Sequence, residues 1–325
     1  MLRILRAMPL LLLSAAVTAA EPTYPCFRVE QVPAIDGVVR DDPAWSAVRT
    51  VTGFEVLGGD YTTAKQSVAH ACWNGATLYL AVVCEEPDIA QVSSTMSDGG
   101  DLWLEDSVEI FIEPARNGPV YQLIVSAGGS RTGSKAAADA EGWEAAAHRG
   151  DQHYAVELAV PLGVFHEEPG ADWHIAFCRN IWTYESGGDK FTSWPGLTGA
   201  FLEPESYARL EFRESIAPPE RREPLERALN ADYRGHLVAQ VRALAPAVRE
   251  HMPTLKRAAR DEDSPLQEQA RETVLTWWRM QRLAEGAADA PLERLREAAA
   301  RSKALRRRCY ELRYRYLLEG LLQGR

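Results

Sequence analysis

The sequence predicts a mostly antiparallel β-sandwich, immunoglobulin-like or jelly-roll-like, followed by an all-α helical domain. Three observations support this prediction. Short runs rich in Val, Ile, Phe, Tyr and Trp alternate with Gly and Pro over residues 32–212. Beyond Ala217-Pro218-Pro219, Leu, Ala, Arg and Glu dominate at helical spacing. The charge divides at the same place, because residues 1–215 carry 14 basic and 30 acidic side chains whereas residues 216–325 carry 22 and 16.

The first 20 residues have the composition of a secretory signal peptide. Two arginines lie between Met1 and Arg6, an apolar stretch runs from Met8 to Val17, and small residues precede Glu21. The apolar stretch is well short of the ~20 residues that a spanning helix requires, which disfavours a membrane anchor. We therefore expect export to the periplasm or the extracellular space, with no transmembrane segment in the mature chain.

Residues 21–215 carry the predicted strands. Gln66–Trp73 and Thr77–Cys84 flank Asn74-Gly75, a pair that favours a tight hairpin because both residues tolerate positive φ. Further strands are predicted at Ser107–Ile112, Val120–Ser126, His153–Val160 and Trp173–Trp182.

Residues 216–325 are predicted to form a helical hairpin or three-helix bundle of roughly 100 residues. Ser264-Pro265 is a typical helix start, and Pro291 opens another helix. One helix face is indicated by apolar residues at three- and four-residue spacing, namely Leu237, Val241, Leu244 and Val248. The sequence indicates neither the role of this domain nor its partner.

Charge and cysteine content exclude some functions. The formal net charge of -10 disfavours nucleic-acid binding, since phosphate contacts need a basic surface. Five cysteines are an odd number for a disulfide framework, and none is spaced as C-x-x-C. We expect them to be mainly buried thiols, with at most one or two disulfides whose pairing stays open.

The stretch from Asp98 to Pro114 combines aromatic and acidic residues. If it is extended, strand alternation places Trp103, Glu105 and Glu109 on one face. An indole packs against the C–H groups of a pyranose and a carboxylate accepts its hydroxyls, so this face suits a sugar. The alternative is that Trp103 is a core residue at a strand edge and the carboxylates are solvated. Further candidate ligand-binding residues in the predicted sandwich are Arg131, Arg179, Asn180 and Trp194.

Several short sequence motifs follow one another in a fixed order within the acidic part of the chain, residues 1–215. They are Ile35-Asp-Gly37 with Asp42-Pro-Ala-Trp45, then Ala69–Ala81, Trp103–Ile112 and Tyr154–Leu162. Their order and content resemble carbohydrate-binding module family 9 over roughly residues 30–213. The resemblance implies a non-catalytic β-sandwich that grips a sugar, or the end of a glycan or polysaccharide chain, between two tryptophans.

The same resemblance implies roles for individual residues. Trp103 corresponds to the family's first aromatic plate and Glu109 to its acidic ligand residue. Arg131 lies where the family places a binding arginine. The second plate is Trp194 or Trp182, and Trp194 is favoured because it lies in a predicted loop.

Three other functions stay open. A glycoside hydrolase needs two carboxylates, and Glu105 and Glu109 on one strand would be about 13 Å apart, beyond the ~5 to ~9.5 Å that glycosidases use. A pair from distant segments, such as Glu109 with Glu157 or Asp189, is the remaining enzyme hypothesis. The others are a structural interaction module without sugar binding and a haem-binding sandwich with Met96 as an iron ligand.

The sequence offers one candidate metal site. The histidines lack the spacing of a zinc site. Asp98 and Asp101, with Glu105, are candidates for structural calcium, which the family resemblance implies, and a solvated acidic loop is the alternative. No other cofactor is expected.

Overall fold

The protein is described by a computed structural model that covers residues 21–46, 48–58, 62–63, 65–134, 142–170, 172–183, 190–215 and 227–322. The predicted signal peptide, residues 1–20, lies outside the described residues. The strands are β1 (Thr23–Arg28), β2 (Thr50–Thr52), β3 (Glu55–Val56), β4 (Ser67–Trp73), β5 (Thr77–Glu85), β6 (Ser107–Glu113), β7 (Tyr121–Ser126), β8 (Arg131–Gly133), β9 (Glu144–Arg149), β10 (His153–Pro161), β11 (His174–Asn180), β12 (Phe191–Trp194) and β13 (Ala208–Arg213). The helices are α1 (Pro43–Ser46), α2 (Ala231–Val248), α3 (Met252–Ala258), α4 (Gln267–Glu285) and α5 (Leu292–Leu322).

The strands form one mixed sheet that nearly closes into a barrel-like sandwich. Its order is β8-β7-β6-β11-β13-β1-β4-β5-β10-β9, with β2 beside β4 and β12 between β11 and β3. The ends of the sheet approach each other where Arg149 of β9 donates to the carbonyl of Ala127, just after β7 (3.3 Å). β1 runs parallel to both β4 and β13. The predicted sandwich is thus confirmed in part, and the expectation of a mostly antiparallel sheet is corrected to a mixed one.

Each strand of this sheet has an inner face, toward the main core, and an outer face. In β6, Val108, Ile110 and Ile112 point into the main core. Phe111 alternates with them and packs outside the sheet with Tyr207. Because both faces are covered, β6 is buried along its whole length. The same alternation decides which side chains of the neighbouring strands can reach a site on the outer face.

Glu157 binds the segment that contains Gly37 and Trp45 to the outer face of the sheet. Its carboxylate accepts the indole N–H of Trp45 (2.5 Å) and the backbone N–H of Gly37 (2.6 Å). Gly37 has φ +84°, and a side chain there would lie 2.5 Å from the backbone of Ala147. Burial raises the pKa of Glu157. The carboxylate therefore has a structural role, which explains why an Asp-Gly turn and a tryptophan occur close together in this segment.

The C-terminal region is helical, as predicted. Val241, Leu244 and Val248 of α2 lie in one core with Leu305 and Leu312 of α5. The predicted helix starts are also confirmed, because α4 begins just after Ser264-Pro265 and α5 just after Pro291. Short α3 adds a fourth helix to the described part of this region, one more than the predicted bundle.

The helical region packs directly on the sandwich. Asn230, just before α2, accepts the backbone N–H of Thr52 (2.9 Å) and donates to the carbonyl of Thr50 (3.3 Å), so that one side chain satisfies the edge of β2. Tyr233 of α2 lies against Gly53, where an added Cβ would come within 2.5 Å of the tyrosine Cβ. Arg296 of α5 forms an ion pair with Glu85.

All five cysteines are buried free thiols. The expectation of mainly buried thiols is confirmed. Within the described part of the chain, no helix combines the length and apolarity needed to cross a membrane.

Candidate functional site

Two tryptophans meet at one end of the sheet. β6 and β11 are antiparallel neighbours with Ser107 opposite Asn180, so the residues before β6 and those after β11 lie at the same end. Trp103 sits in a 3₁₀ turn before β6, and Trp182 follows β11 by two residues. The indole N–H of Trp182 donates to the carbonyl of Trp103 (3.1 Å). The pairing of two strands thus brings together aromatic residues that are 79 positions apart.

Trp103 does not belong to the strand that carries Glu109. The expectation of one extended strand through both residues is wrong, because β6 begins only at Ser107. Glu105 accepts the backbone N–H of Thr95 (2.6 Å), and Asp106 accepts that of Trp182 (3.0 Å), which bends the chain into a turn. As a result Trp103 leaves the sheet and remains 42% exposed, so its indole is available to a ligand.

Glu109 is the centre of a polar cluster on the outer face. Its carboxylate oxygens accept one hydrogen bond from Asn180 Nδ2 (2.8 Å) and one from Gln122 Nε2 (2.7 Å). Asn180 also donates to the hydroxyl of Ser107 (2.9 Å). Burial raises the pKa of Glu109, and the two amide donors lower it in part. Each carboxylate oxygen keeps a second lone pair for a further donor.

Three of the predicted ligand residues lie on the inner face instead. Arg131 is opposite Val125, Arg179 is opposite Val108, and Trp194 is opposite Phe177. Strand alternation separates these side chains from Glu109, whose neighbours across the sheet are Cys178 and Ile124. In this register Arg131, Arg179 and Trp194 lie on the opposite side of the sheet from Glu109.

Each of these three side chains instead contacts residues that are not part of the Glu109 cluster. The Arg131 guanidinium lies 4.9 Å from the ring centre of Trp143. Trp194 is only 9% exposed and packs edge-on against Tyr24. Arg179 is completely buried and pairs with Glu86 (3.1 Å). Trp182 therefore replaces Trp194 as the candidate second plate.

A buried ionic network holds the segment that carries Trp182. Glu86 pairs with Arg179 and also with Lys65 Nζ (2.6 Å). The hydroxyl of Thr183, the residue after Trp182, donates to Glu86 (2.8 Å) and accepts from Lys65 (2.7 Å). Burial lowers the pKa of Lys65, but its hydrogen bonds to Glu86 and Asp88 raise it above the usual value. The charges of this network fix the backbone beside the aromatic pair.

The sequence matches a family model over most of the sandwich. The family described as carbohydrate family 9 binding domain-like matches residues 35–213, more than half of the chain. The chain belongs to this family. The resemblance indicated by the sequence motifs is thereby confirmed for this family-9-like domain.

Other proteins resemble the family-9-like domain at low identity. A candidate carbohydrate-binding protein from Bacteroides uniformis is 14% identical with a TM-score of 0.45, over 60% of this chain and 100% of that chain. Two structures of a family 9 carbohydrate-binding module from Caldicellulosiruptor kristjanssonii, one with cellotriose and one with glucose, are 16% identical with TM-scores of 0.42, over 60% of this chain and 98% of that chain. Among curated proteins, none matches the sequence.

Sequence reasoning missed three residues of the candidate site. Gln122 fixes Glu109, and it lies in β7 on the outer face, two residues from Ile124. Alternation along β7 could have identified it. Phe191 is 38% exposed and meets Trp182 edge-on, with ring centres 6.5 Å apart. Lys190 lies 4.2 Å from the ring centre of Trp182 and covers part of that indole.

The residues predicted for calcium are not grouped as metal ligands in the described part of the family-9-like domain. Asp98 Oδ1 accepts the backbone N–H of Arg131 (2.9 Å), and Glu105 Oε2 accepts that of Thr95 (2.6 Å), while Glu105 Oε1 is buried without a hydrogen-bond partner among the described residues. Across the described ranges, no group of three or more His, Cys, Asp or Glu side chains could hold a metal ion. Asp98 and Asp101 therefore enter no step of the function considered below.

Proposed function

We propose that the family-9-like domain binds a sugar, or the end of a glycan chain, at the end of the sheet where Trp103 and Trp182 meet. The observation that carries the proposal is the hydrogen bond from the Trp182 indole to the backbone carbonyl of Trp103, at the same end of the sheet as the Glu109–Asn180 cluster. A pyranose ring packs its C–H groups on an indole, and its hydroxyls need charged or amide partners close by. Both requirements are supplied by residues at or near one end of β6 and β11.

The Glu109 side chain is only 4% exposed. We propose that its carboxylate accepts one hydroxyl group of the sugar where the polar cluster reaches the surface. Asn180 and Gln122 hold the carboxylate in place before any ligand arrives, which reduces the entropy lost on binding. A negatively charged acceptor also forms stronger hydrogen bonds than a neutral one. The amide oxygen of Gln122, which is partly exposed, is a further acceptor for a sugar hydroxyl.

The proposed activity is binding without turnover. A glycosidase needs an acid and a second carboxylate placed about 5 to 9.5 Å apart around the scissile bond. Glu105 is buried and accepts two backbone N–H groups with its Oε2, and Glu157 accepts the indole N–H of Trp45 and the backbone N–H of Gly37. Asp189, the other partner considered for Glu109, lies outside the described residues.

Calorimetric titration tests the proposal. We expect glucose, cellobiose or xylobiose to bind the unmodified protein, and a sugar with a reduced end to bind weakly if the chain end is gripped. Trp103→Ala and Trp182→Ala are each expected to weaken binding about thirtyfold or more, as loss of a central aromatic contact does. Trp278→Ala is the matched control, because Trp278 is 49% exposed but lies on α4.

The two tryptophan variants must remain folded, which their circular dichroism checks. Unchanged affinity in both variants would place any sugar site elsewhere on the molecule. Absence of binding to every sugar by the unmodified protein would contradict the proposal and leave the sandwich as a structural module.

Export is proposed as well. It is supported by the charged start, the apolar stretch and the small residues of positions 1–20. Expression in the native host followed by N-terminal sequencing of the periplasmic and medium fractions is expected to give a chain that starts at Glu21. A chain recovered only from the cytoplasm, with Met1 retained, would refute this.

A further inference from the structure

The long helix α5 has two opposite apolar faces. One face is buried in the helical core through Leu305, Cys309 and Leu312. The other, here called the outer stripe, consists of five residues that are 39% to 75% exposed: Tyr310, Tyr314, Leu317, Leu318 and Leu321. Single exposed apolar residues are ordinary, but a continuous apolar row of this kind marks an interaction surface.

The spacing of the outer stripe is that of a helix–helix seam. Tyr310, Tyr314, Leu317 and Leu321 are separated by four, three and four residues, the alternation found at the a and d positions of a coiled coil. The ring centres of Tyr310 and Tyr314 lie 4.5 Å apart, so the two aromatic residues at the start of the seam pack against each other. Two further exposed leucines, Leu318 and Leu322, flank this seam at its C-terminal end.

We propose that the outer stripe binds the outer stripe of a second copy of this chain in an antiparallel, two-fold symmetric dimer. In this arrangement Tyr314 lies opposite Leu317 of the second copy, and Tyr310 lies opposite its Leu321. Each layer then pairs an aromatic ring with a leucine, and each a position with a d position. In a parallel arrangement each tyrosine would instead lie opposite the same tyrosine of the second chain, and each leucine opposite the same leucine.

Charge also favours the antiparallel arrangement. Arg306 and Arg307 precede the outer stripe and are exposed. With Tyr310 opposite Leu321 of the second copy, they lie just beyond Leu322, the last described residue of the second α5, at the end where free carbonyl groups form the negative end of the helix dipole. In a parallel pair Arg306 and Arg307 would lie beside the same arginines of the second chain, and the like charges would repel. The seam spans 12 residues, about 18 Å of helix, so we expect a dissociation constant in the micromolar range.

Sedimentation velocity of the purified full chain, from about 1 to about 200 µM, tests the dimer. We expect a concentration-dependent shift from monomer to dimer. Leu317→Glu with Leu321→Glu should weaken association more than about a hundredfold, because four leucines per dimer lose apolar contact. The matched control is Leu202→Glu with Leu275→Glu, two exposed leucines outside the stripe, which should dimerise like the unmodified chain.

Equal thermal melting of both double variants excludes unfolding as the cause. A chain that stays monomeric at every concentration would overturn the proposal, including the case in which the monomer sediments with anionic phospholipid vesicles through this stripe. A dimer that survives Leu317→Glu with Leu321→Glu would also overturn it. Arg306→Glu with Arg307→Glu should weaken the dimer, and unchanged association in that variant would contradict the antiparallel arrangement.

Discussion

Arg179→Met is expected to lower the free energy of unfolding by about 3 to 5 kcal/mol, the range seen when one partner of a buried ion pair is removed. Arg179 is completely buried and pairs with Glu86, which is also buried. Its guanidinium further donates to the carbonyls of Lys65 and Glu85, both at 3.0 Å. Methionine fills a similar volume but carries no positive charge, so the Glu86 carboxylate loses its arginine partner. The backbone carbonyls of Lys65 and Glu85 also lose the guanidinium as a hydrogen-bond donor.

Urea unfolding followed by tryptophan fluorescence measures this effect. Arg28→Met is the matched control, because Arg28 also pairs with a glutamate, Glu214, but both side chains are largely exposed. We expect that variant to lose less than about 1 kcal/mol. Adding Glu86→Gln to Arg179→Met should recover part of the loss, since it removes the poorly compensated charge. Equal losses in Arg179→Met and Arg28→Met would show that the buried network is not a major source of stability.

The misplacement of Arg179 by sequence reasoning has a physical cause. An arginine and an asparagine at the end of an apolar strand resemble a pair of ligand residues, yet alternation sends them to opposite faces. Asn180 lies on the outer face beside Glu109, whereas Arg179 enters the core to meet Glu86, 93 positions away. Local patterns contain no information about such a partner. Trp194 likewise lies in the core, where its neighbour Tyr24 comes from the first strand.

Strand and helix positions were predictable where local pattern and tertiary packing agree. The hairpin of β4 and β5, the strand β10 and the buried face of α2 all follow from spacing and turn residues. Trp103 shows where the agreement ends. Its run of apolar and acidic residues has strand character, but Glu105 and Asp106 bind distant backbone groups and start a turn. The outer stripe of α5 has the same three- and four-residue spacing as the buried face formed by Leu305, Cys309 and Leu312. Spacing alone could therefore not distinguish an exposed face from a core face.

Glu109→Gln is expected to weaken sugar binding by at least about tenfold, and this prediction rests on the proposed function. Asn180 and Gln122 both point N–H donors at the two carboxylate oxygens. The glutamine amide would present its own N–H group to one of these donors, which leaves a buried donor unpaired at a cost of about 1 to 3 kcal/mol. The sugar would also lose a charged acceptor. Titration calorimetry with any sugar that the unmodified protein binds measures the change.

The pH dependence of binding distinguishes this role from simple packing. Burial raises the pKa of Glu109, so the carboxylate takes up a proton at a higher pH than an ordinary glutamate does. The folded state then binds this proton more tightly than the unfolded chain. The contribution of Glu109 to stability is therefore largest below the unfolded pKa and is lost as pH rises through the folded pKa. Sugar affinity should follow the opposite course and fall as pH decreases through the folded pKa, because the protonated group loses its charge and part of its acceptor capacity.

Affinity measured from about pH 7 down to about pH 4 is therefore expected to fall in the unmodified protein and to change less in Glu109→Gln. Asp106 also has a pKa raised by burial, and it bonds to the backbone of Trp182 and Ser93, so its titration could move the aromatic pair. Asp106→Asn separates the two causes, because it leaves the Glu109 cluster intact. If binding loses its pH dependence in Asp106→Asn and keeps it in Glu109→Gln, the acid sensitivity arises from the turn that holds the tryptophans, and the carboxylate of Glu109 is not the titrating sugar acceptor.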